Sequence, residues 1–323
     1  LTPFVSELRD IMITLDDLYA ARTRLQGISR HTPLLAWNGR YLKPESLQPI
    51  GSFKVRGAYN RIAAALEITP EATGVIAYSS GNHAQGVAYA AQRLGLSATI
   101  VMPHNAPEVK INATRAYGGQ VVFYDPLTEQ REAVVDRLRE GQTWILVPPF
   151  DDPQVIAGQG TIGLEIFEDF PSVRQVIVPI GGGGLISGVS TALKSLNPAI
   201  KVIGVEPELA ADAAESLQMG TIQSWTAAQT GRTIADGVRT LQLSHLTFDH
   251  IQHYVDQIVT VSEDAIRMAV RTLALEAKMV IEPSGAIPLA AWQSGRIEPH
   301  PETVLILSGG NIDSRVLIEI LAG

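Results

Sequence analysis

Cysteine is absent from the 323 residues. That removes disulfides, thiolate metal sites and a cysteine nucleophile together. Positive charge is in short supply: 25 Lys and Arg stand against 33 Asp and Glu, for a net charge of −8. No Lys/Arg run exceeds two residues, so a nucleic-acid-binding face is not expected. Long apolar runs are missing too, and no segment reaches membrane-spanning length. The N-terminus has no basic stretch followed by an apolar block, so a secretory leader is not expected and the cytoplasm is the expected compartment. Residues 1–11, ahead of Met12, receive no function. Internal repeats and low-complexity segments are also lacking.

What is present is an ordered globular composition, 46% hydrophobic and 18% charged. A chain of this length forms one large or two medium domains. Thr14 with Asp17 reads as a capped helix start, with the helix ending near Gly27. Strand-like pieces follow at residues 34–37 and 41–43, then a helical pattern over 55–66. From there short apolar runs alternate with helical patterns. Strands are expected at 75–78, 98–102, 121–124 and 144–147, and helices at 82–94, 107–117 and 126–140. The alternation implies a parallel sheet with right-handed crossovers. A new helix starts at Asp152-Pro153, carrying Gly158, Gly160 and Gly163. Each costs about 1 kcal/mol against alanine, so close packing of that helix on a sheet is expected. The runs at 176–179, 202–206 and 304–307 read as strands buried on both faces. The expected division is a smaller α/β domain over 53–146, inserted into a larger one made of 1–52 and 147–323.

In open parallel sheets ligands bind beyond the carboxyl ends of strands. Three expected strands end in loops rich in glycine or hydroxyl groups. The first runs into Gly181-Gly182-Gly183-Gly184, the second into Ser308-Gly309-Gly310-Asn311, and the third into Ser79-Ser80-Gly81-Asn82-His83. Four glycines before a helix form a phosphate cradle, because backbone N–H groups and the helix N-terminus both favour an anion. No Lys-Ser/Thr follows, which excludes a P-loop. Ile186 and Ser187 stand where a dinucleotide fingerprint needs its last glycine. The plain alternative is a flexible turn. Lys54 stands just before a helix, where the positive helix end disfavours the ammonium and favours a nucleophilic amine. Alone it reads as a surface charge. A lysine, a phosphate cradle and a polar loop together suit a carbonyl cofactor that carries a phosphate.

At this point the motifs resemble a known family. Gly51-Ser52-Phe53-Lys54-Val55-Arg56-Gly57-Ala58, Ser79-Ser80-Gly81-Asn82-His83-Ala84-Gln85-Gly86, the tetraglycine and Ser308-Gly309-Gly310-Asn311 are similar to fold-type II pyridoxal-phosphate enzymes. Within these they resemble the serine/threonine dehydratase and serine racemase branch. His83-Ala84 stands where the cysteine-synthase branch has Thr-Gly, which argues against a sulfhydrylase.

The resemblance implies two open parallel-sheet domains of the tryptophan-synthase-β-like type, with the cofactor between them. It implies that Lys54 holds pyridoxal phosphate covalently and moves the substrate α-proton. Phe53 would pack beside the ring, and Asn82 would bond its 3′-oxygen. Residues Gly181, Gly182, Gly183 and Gly184, with the Leu185 amide, would hold the phosphate. Ser308 would face the pyridine nitrogen. A neutral hydroxyl there leaves the ring a weaker electron sink, which favours loss of a β-substituent. Loss of the α-proton and β-hydroxyl leaves an aminoacrylate, which hydrolyses to a 2-oxo acid and ammonia.

For the substrate, the resemblance points to Ser79, Ser80, Asn82 and His83 around the carboxylate, and to Gly237 in a bordering segment. That segment, Asp236-Gly237-Val238-Arg239, lacks the glycine that often follows, so side-chain preference stays open. Ser80 matches a racemase serine on the face opposite the lysine. Arg131 matches a racemase arginine and could bind a second carboxylate; the plain alternative is a surface arginine pairing with a neighbouring Glu. Glu206 and Asp212, with the Ala210 carbonyl, match a Mg²⁺ or Ca²⁺ site. His250 and His253 lack a third ligand, so a surface or capping role is expected. The expected activity is dehydration of L-threonine and L-serine. Serine racemase and threo-3-hydroxyaspartate dehydratase stand as alternatives, and a non-catalytic binder of pyridoxal phosphate or a nucleotide as a distant one. A homodimer is the family habit. The chain's end soon after Ser308 leads to the expectation of no regulatory domain and no control by isoleucine.

Overall fold

The computed structural model describes residues 12–106 and 108–323. The role of residues 1–11, and the start of a helix at Pro107, lie outside the described residues. Two sheets organise the chain. The larger has six strands in the order β1-β2-β10-β7-β8-β9. These are β1 (Leu35–Trp37), β2 (Arg40–Pro44), β7 (Gln175–Pro179), β8 (Lys201–Pro207), β9 (Gln257–Val261) and β10 (Thr303–Leu307). Only the β1–β2 pair is antiparallel; the remaining pairs are parallel. The smaller sheet has the order β5-β4-β3-β6 and is parallel throughout. Its strands are β3 (Gly74–Tyr78), β4 (Ser97–Pro103), β5 (Gln120–Tyr124) and β6 (Trp144–Leu146). The expected pair of open parallel sheets is thus present. The chain builds one edge of the large sheet, leaves to make the small one, and returns.

Burial explains the strand assignments. β7 and β10 are buried at every position. Their alternate residues feed opposite cores: Val176, Val178, Val304 and Ile306 pack on one side of the sheet, and Ile177, Leu305 and Leu307 on the other. A strand covered on both faces needs apolar side chains in both registers, so it reads as a continuous run.

Three local expectations need correction. Helix α1 (Leu15–Arg24) opens on the Thr14–Asp17 capping box but ends at Arg24, with Leu25 as its cap; Gly27, at φ +72°, lies in the turn beyond. The helix expected over 126–140, α5 (Arg131–Arg139), begins only at Arg131. Asp125 holds the preceding residues as a turn: its side chain accepts the Leu127 N–H, and its carbonyl accepts those of Thr128 and Glu129. An aspartate that satisfies nearby amides competes with helix formation.

The third correction concerns the glycine-bearing helix α6 (Pro153–Asp169), capped by Asp152. Its glycines face helices, whereas Ile162 and Ile166 reach the core on the large sheet. A Cβ at Gly158 would stand 2.6 Å from the Arg56 carbonyl oxygen in α2 (Lys54–Ile68). One at Gly160 would stand 2.7 Å from that of Gly188 in α7 (Gly184–Leu196). α6 therefore lies between the two helices that begin at Lys54 and at the tetraglycine. No helix among the described residues is long and apolar enough to cross a membrane.

Candidate active site

Lys54 is the first residue of α2, not the residue before it. The segment ahead of it is tied to the end of β10. The Phe53 N–H donates to the Ser308 carbonyl at 3.1 Å, and the Gly310 N–H to the Gly51 carbonyl at 2.9 Å. Ser52 and Gly309 form an isolated antiparallel bridge. Gly309 is packed closely there: a Cβ would lie 2.5 Å from a Glu282 carboxylate oxygen and 3.0 Å from Ser52 Cβ. The Lys54 amine donates to the Pro149 carbonyl at 2.8 Å and lies 5.1 Å from the Phe53 ring centre. Burial lowers its pKa from 10.5 to about 8, because a low-dielectric setting disfavours the cation. The neutral, nucleophilic amine is therefore accessible near neutral pH.

The tetraglycine follows β7 and leads into α7. Gly183 caps that helix with φ +86°, and no side chain caps it. The loop is walled closely. A Cβ at Gly182 would fall 2.2 Å from the Phe150 ring, and one at Gly181 3.0 Å from Val238 Cα. Phe150 follows Pro149, whose carbonyl holds Lys54, so the lysine and the cradle share one wall. Leu185, next in the helix, is buried. An uncapped helix N-terminus lined by bare peptide groups suits a phosphate.

The third loop leaves β3 and enters α3 (Asn82–Leu94). Asn82 is held at both ends. Its Oδ1 accepts from Asn311 Nδ2 at 2.7 Å, and its Nδ2 donates to Glu282 Oε1 at 2.7 Å. The Asn311 amide also donates to the Ile50 carbonyl. One amide hydrogen of Asn82 therefore stays available for a ligand in the cleft. Ser79 Oγ accepts the Gly81 N–H, and Ser80 is half-buried beside it. His83 is committed elsewhere. Its ring is buried, Nε2 bonds the Val147 carbonyl at 2.8 Å, and Nδ1 has no partner. Burial, with the Lys54 charge second, pushes its pKa down to about 3. It is a neutral ring fixed to the segment that also holds Lys54.

Gly237 donates its N–H to Ser284 Oγ at 2.8 Å. Its neighbour Asp236 pairs with Lys110, which comes from α4 (Glu108–Ala116) beside the small sheet. Ser308 is buried at the end of β10. Arg131 makes the pairing with a neighbouring Glu that was the plain alternative. It pairs with Glu132 at 2.8 Å, and its guanidinium lies 4.6 Å from the ring centre of Tyr78, the residue before Ser79.

Glu282 escaped the sequence reading. Burial and the charge of Asp236 raise its pKa from 4.5 to about 8. Its one signal is an acid set in an apolar stretch, Val280-Ile281-Glu282-Pro283.

The acidic pair lies apart from this cleft. Glu206, next to last in β8, accepts the N–H groups of Ala213 and Ala214 at 3.1 and 2.7 Å. Asp212 opens α8 (Asp212–Met219), and neither of its carboxylate oxygens has a hydrogen-bond partner. Burial, and for Glu206 the facing Asp212 charge, hold both carboxyls above their ordinary range. Ala210 is fully buried next to them. Among the described residues no third His, Asp or Glu joins the pair. His250 is buried rather than exposed: its Nε2 accepts the Ile13 N–H and its Nδ1 bonds the Leu246 carbonyl.

Residues 18–309 match the family described as "Pyridoxal-phosphate dependent enzyme". The chain is 44% identical over 318 residues to the L-threonine ammonia-lyase of Thermotoga maritima, covering 96% of this chain and 78% of that one. A crystal structure of T.th. threonine deaminase superposes with a TM-score of 0.87 at 47% identity, over 93% of this chain and 99% of that one. Maize serine racemase superposes with a TM-score of 0.88 at 36% identity, over 96% and 97%.

Proposed function

Since the chain belongs to the pyridoxal-phosphate-dependent enzyme family, we propose that it is a dehydratase (ammonia-lyase) converting L-threonine and L-serine to a 2-oxo acid and ammonia. One observation carries the choice of reaction: the residue buried at the end of β10 is Ser308, a neutral hydroxyl. Its relatives named L-threonine ammonia-lyase and threonine deaminase support it.

The cleft fits the cofactor. An amine with a pKa of about 8 and a glycine cradle with no room for a Cβ at Gly182 share the wall formed by Pro149 and Phe150. Gly181, Gly182, Gly183 and Gly184, with the Leu185 amide, would hold its phosphate. Asn82 would bond the 3′-oxygen, Phe53 would flank the ring, and Ser308 would meet the pyridine nitrogen. When bound, the cofactor supplies a handle for the substrate amino group and stabilises negative charge at the α-carbon.

The protein supplies the rest. Lys54 takes the α-proton as its free amine, a role for which a pKa near the working pH is favourable. The loop Ser79-Ser80-Gly81 offers hydroxyls and N–H groups to the substrate carboxylate. His83 supports that loop from behind through Val147. Gly237 borders the substrate on the tetraglycine side. The β-hydroxyl leaves without redox change, so no electron acceptor is required.

Glu206, Asp212 and the Ala210 carbonyl would hold Mg²⁺ or Ca²⁺. The two unpartnered oxygens of Asp212 support this, since hard cations take oxygen ligands and complete their shell with water. A homodimer and a cytoplasmic location complete the reading; light scattering tests the first.

A second reading is racemisation of serine. Ser80 motivates it, together with the likeness to maize serine racemase. The test of function is 2-oxo acid release from L-threonine, L-serine and L-threo-3-hydroxyaspartate, with chiral analysis of residual serine. Release establishes the dehydratase and ranks its substrates. D-serine without 2-oxo acid moves the assignment to the racemase. If hydroxyaspartate leads and Arg131→Ala removes that activity, Arg131 binds the second carboxylate.

A further inference from the structure

Behind Lys54 lies a buried ionic cluster that the reaction does not touch. Arg56, Lys43 and Glu45 are 0% exposed and Glu165 is 7% exposed. Arg56 forks onto both carboxylates. Nε and Nη2 donate to Glu45 at 2.8 and 2.9 Å, and Nη1 and Nη2 to Glu165 at 2.6 and 2.9 Å. Nη1 also reaches Thr161 Oγ1 at 3.1 Å. Lys43 donates to Glu165 and to the Thr32 carbonyl, each at 2.6 Å. Two cations meet two anions, so the cluster is neutral and fully bonded.

Taking four charges out of water is costly, and well-packed apolar residues often stabilise a core as well or better. Geometry offers a return for that cost. Residues 54 and 56 stand about 200° apart around a helix axis. With Lys54 turned to the cleft, Arg56 points the opposite way, into the large-sheet half. α2 is also pinned to α6 by other contacts. The Gly57 N–H donates to Gln159 Oε1 at 3.1 Å, the Asn60 amide to the Gln154 carbonyl at 2.7 Å, and Arg61 pairs with Asp152 at 2.7 Å. Thr161 and Glu165 are themselves on α6. The same helix packs glycine-to-glycine on α7, whose first residue is Gly184 of the cradle. A continuous path of direct contacts therefore runs from Lys54 through Arg56 and α6 to the phosphate cradle.

We propose that Arg56, held by Glu45, Glu165 and Lys43, is a positioning residue that registers the Lys54 amine against the tetraglycine loop. The inference rests on Lys54 being the reacting amine. A reacting group displaced by about 1 Å loses about 100-fold in rate, so the cluster acts on turnover and leaves the groups that bind substrate in place.

The test uses the full chain in two variants. Arg56→Lys keeps the charge and cannot span both carboxylates. Thr161→Val removes one acceptor of Arg56 Nη1, together with the bond that Oγ1 donates to the Gly158 carbonyl, leaves both carboxylates in place, and safeguards the test if the first variant does not fold. For each, kcat and KM are measured with L-threonine at matched cofactor occupancy. Amide hydrogen exchange over residues 52–58 is followed in the cofactor-free protein. The expected result for Arg56→Lys is a fall in kcat of about 30-fold with KM within about threefold, and faster exchange at 52–58 with the β3–β6 sheet unchanged. Thr161→Val gives the same signature at about two- to fivefold. An unchanged kcat per bound cofactor, with only the melting temperature lowered, overturns the proposal. If the wild-type protein releases no 2-oxo acid, the dehydratase reading fails separately. The cluster is then judged by the rate at which Lys54 captures added pyridoxal phosphate, and equal rates in wild type and variants overturn it.

Discussion

Two buried groups of charged residues lie in the large-sheet half, and they are opposites. Around Arg56, two cations and two carboxylates saturate one another, with every bond between 2.6 and 3.1 Å. At Glu206 and Asp212, two carboxylates face each other with no cation, and Asp212 has no hydrogen-bond partner at either oxygen. The first is complete without a ligand. The second is the kind of arrangement that a bound cation would complete, because buried charges are otherwise paired. Bonding state, rather than burial, separates a group that holds the protein from one that awaits a partner.

The sharpest way to break this contrast is to unbalance the complete cluster. Glu165→Ala leaves Arg56 with Glu45 as its only carboxylate and Lys43 with only the Thr32 carbonyl, and unfolding free energy should fall by about 3 to 5 kcal/mol in a denaturant titration. A loss below about 1 kcal/mol would show that the cluster is less tightly coupled than its geometry indicates.

Glu282 tests the comparison by pH. The folded state holds its proton up to a pKa of about 8, whereas the unfolded chain loses it near the ordinary value of 4.5. Between those values the folded state binds more protons, so stability falls as pH rises through the window. Glu282→Gln removes that dependence. The stability difference, wild type minus variant, should decline from about pH 4.5 to about pH 8 and be flat on either side. A difference that rises across this range contradicts the assignment of a neutral Glu282.

The smallest effect belongs to the acidic pair. Asp212→Asn replaces a buried carboxyl that has no hydrogen-bond partner and is costly to ionise, and should raise metal-free stability by about 1 kcal/mol. It should also abolish the rise in melting temperature that Mg²⁺ gives the wild-type protein. Equal stabilisation of both by Mg²⁺ would place the cation elsewhere.

The parts legible in the sequence were those coded locally. Buried strands such as β7 and β10 appear as apolar runs because both faces are covered. The three strand-end loops carry glycines and hydroxyls in contiguous motifs, so the tetraglycine, Ser308 and Asn82 could be found without a structure. Contacts between distant residues could not. Lys43 and Glu165 are 122 positions apart, and Asn82 and Glu282 are 200 apart; nothing near either acid marks its partner. The late start of the helix at Arg131 was also hidden, because the Asp125 turn competes with a pattern that is otherwise helical. His83 sits in a readable motif, yet only the fold shows its ring turned to Val147.

The proposed dehydration requires that Lys54 and the tetraglycine form one catalytic site. The most direct measurement is 2-oxo acid release from L-threonine by the wild-type protein and by Lys54→Ala, both supplied with pyridoxal phosphate. Release by the wild type is expected, with a fall of about 1,000-fold or more in the variant, whose circular dichroism stays that of the folded protein. Comparable release by a folded Lys54→Ala would contradict it.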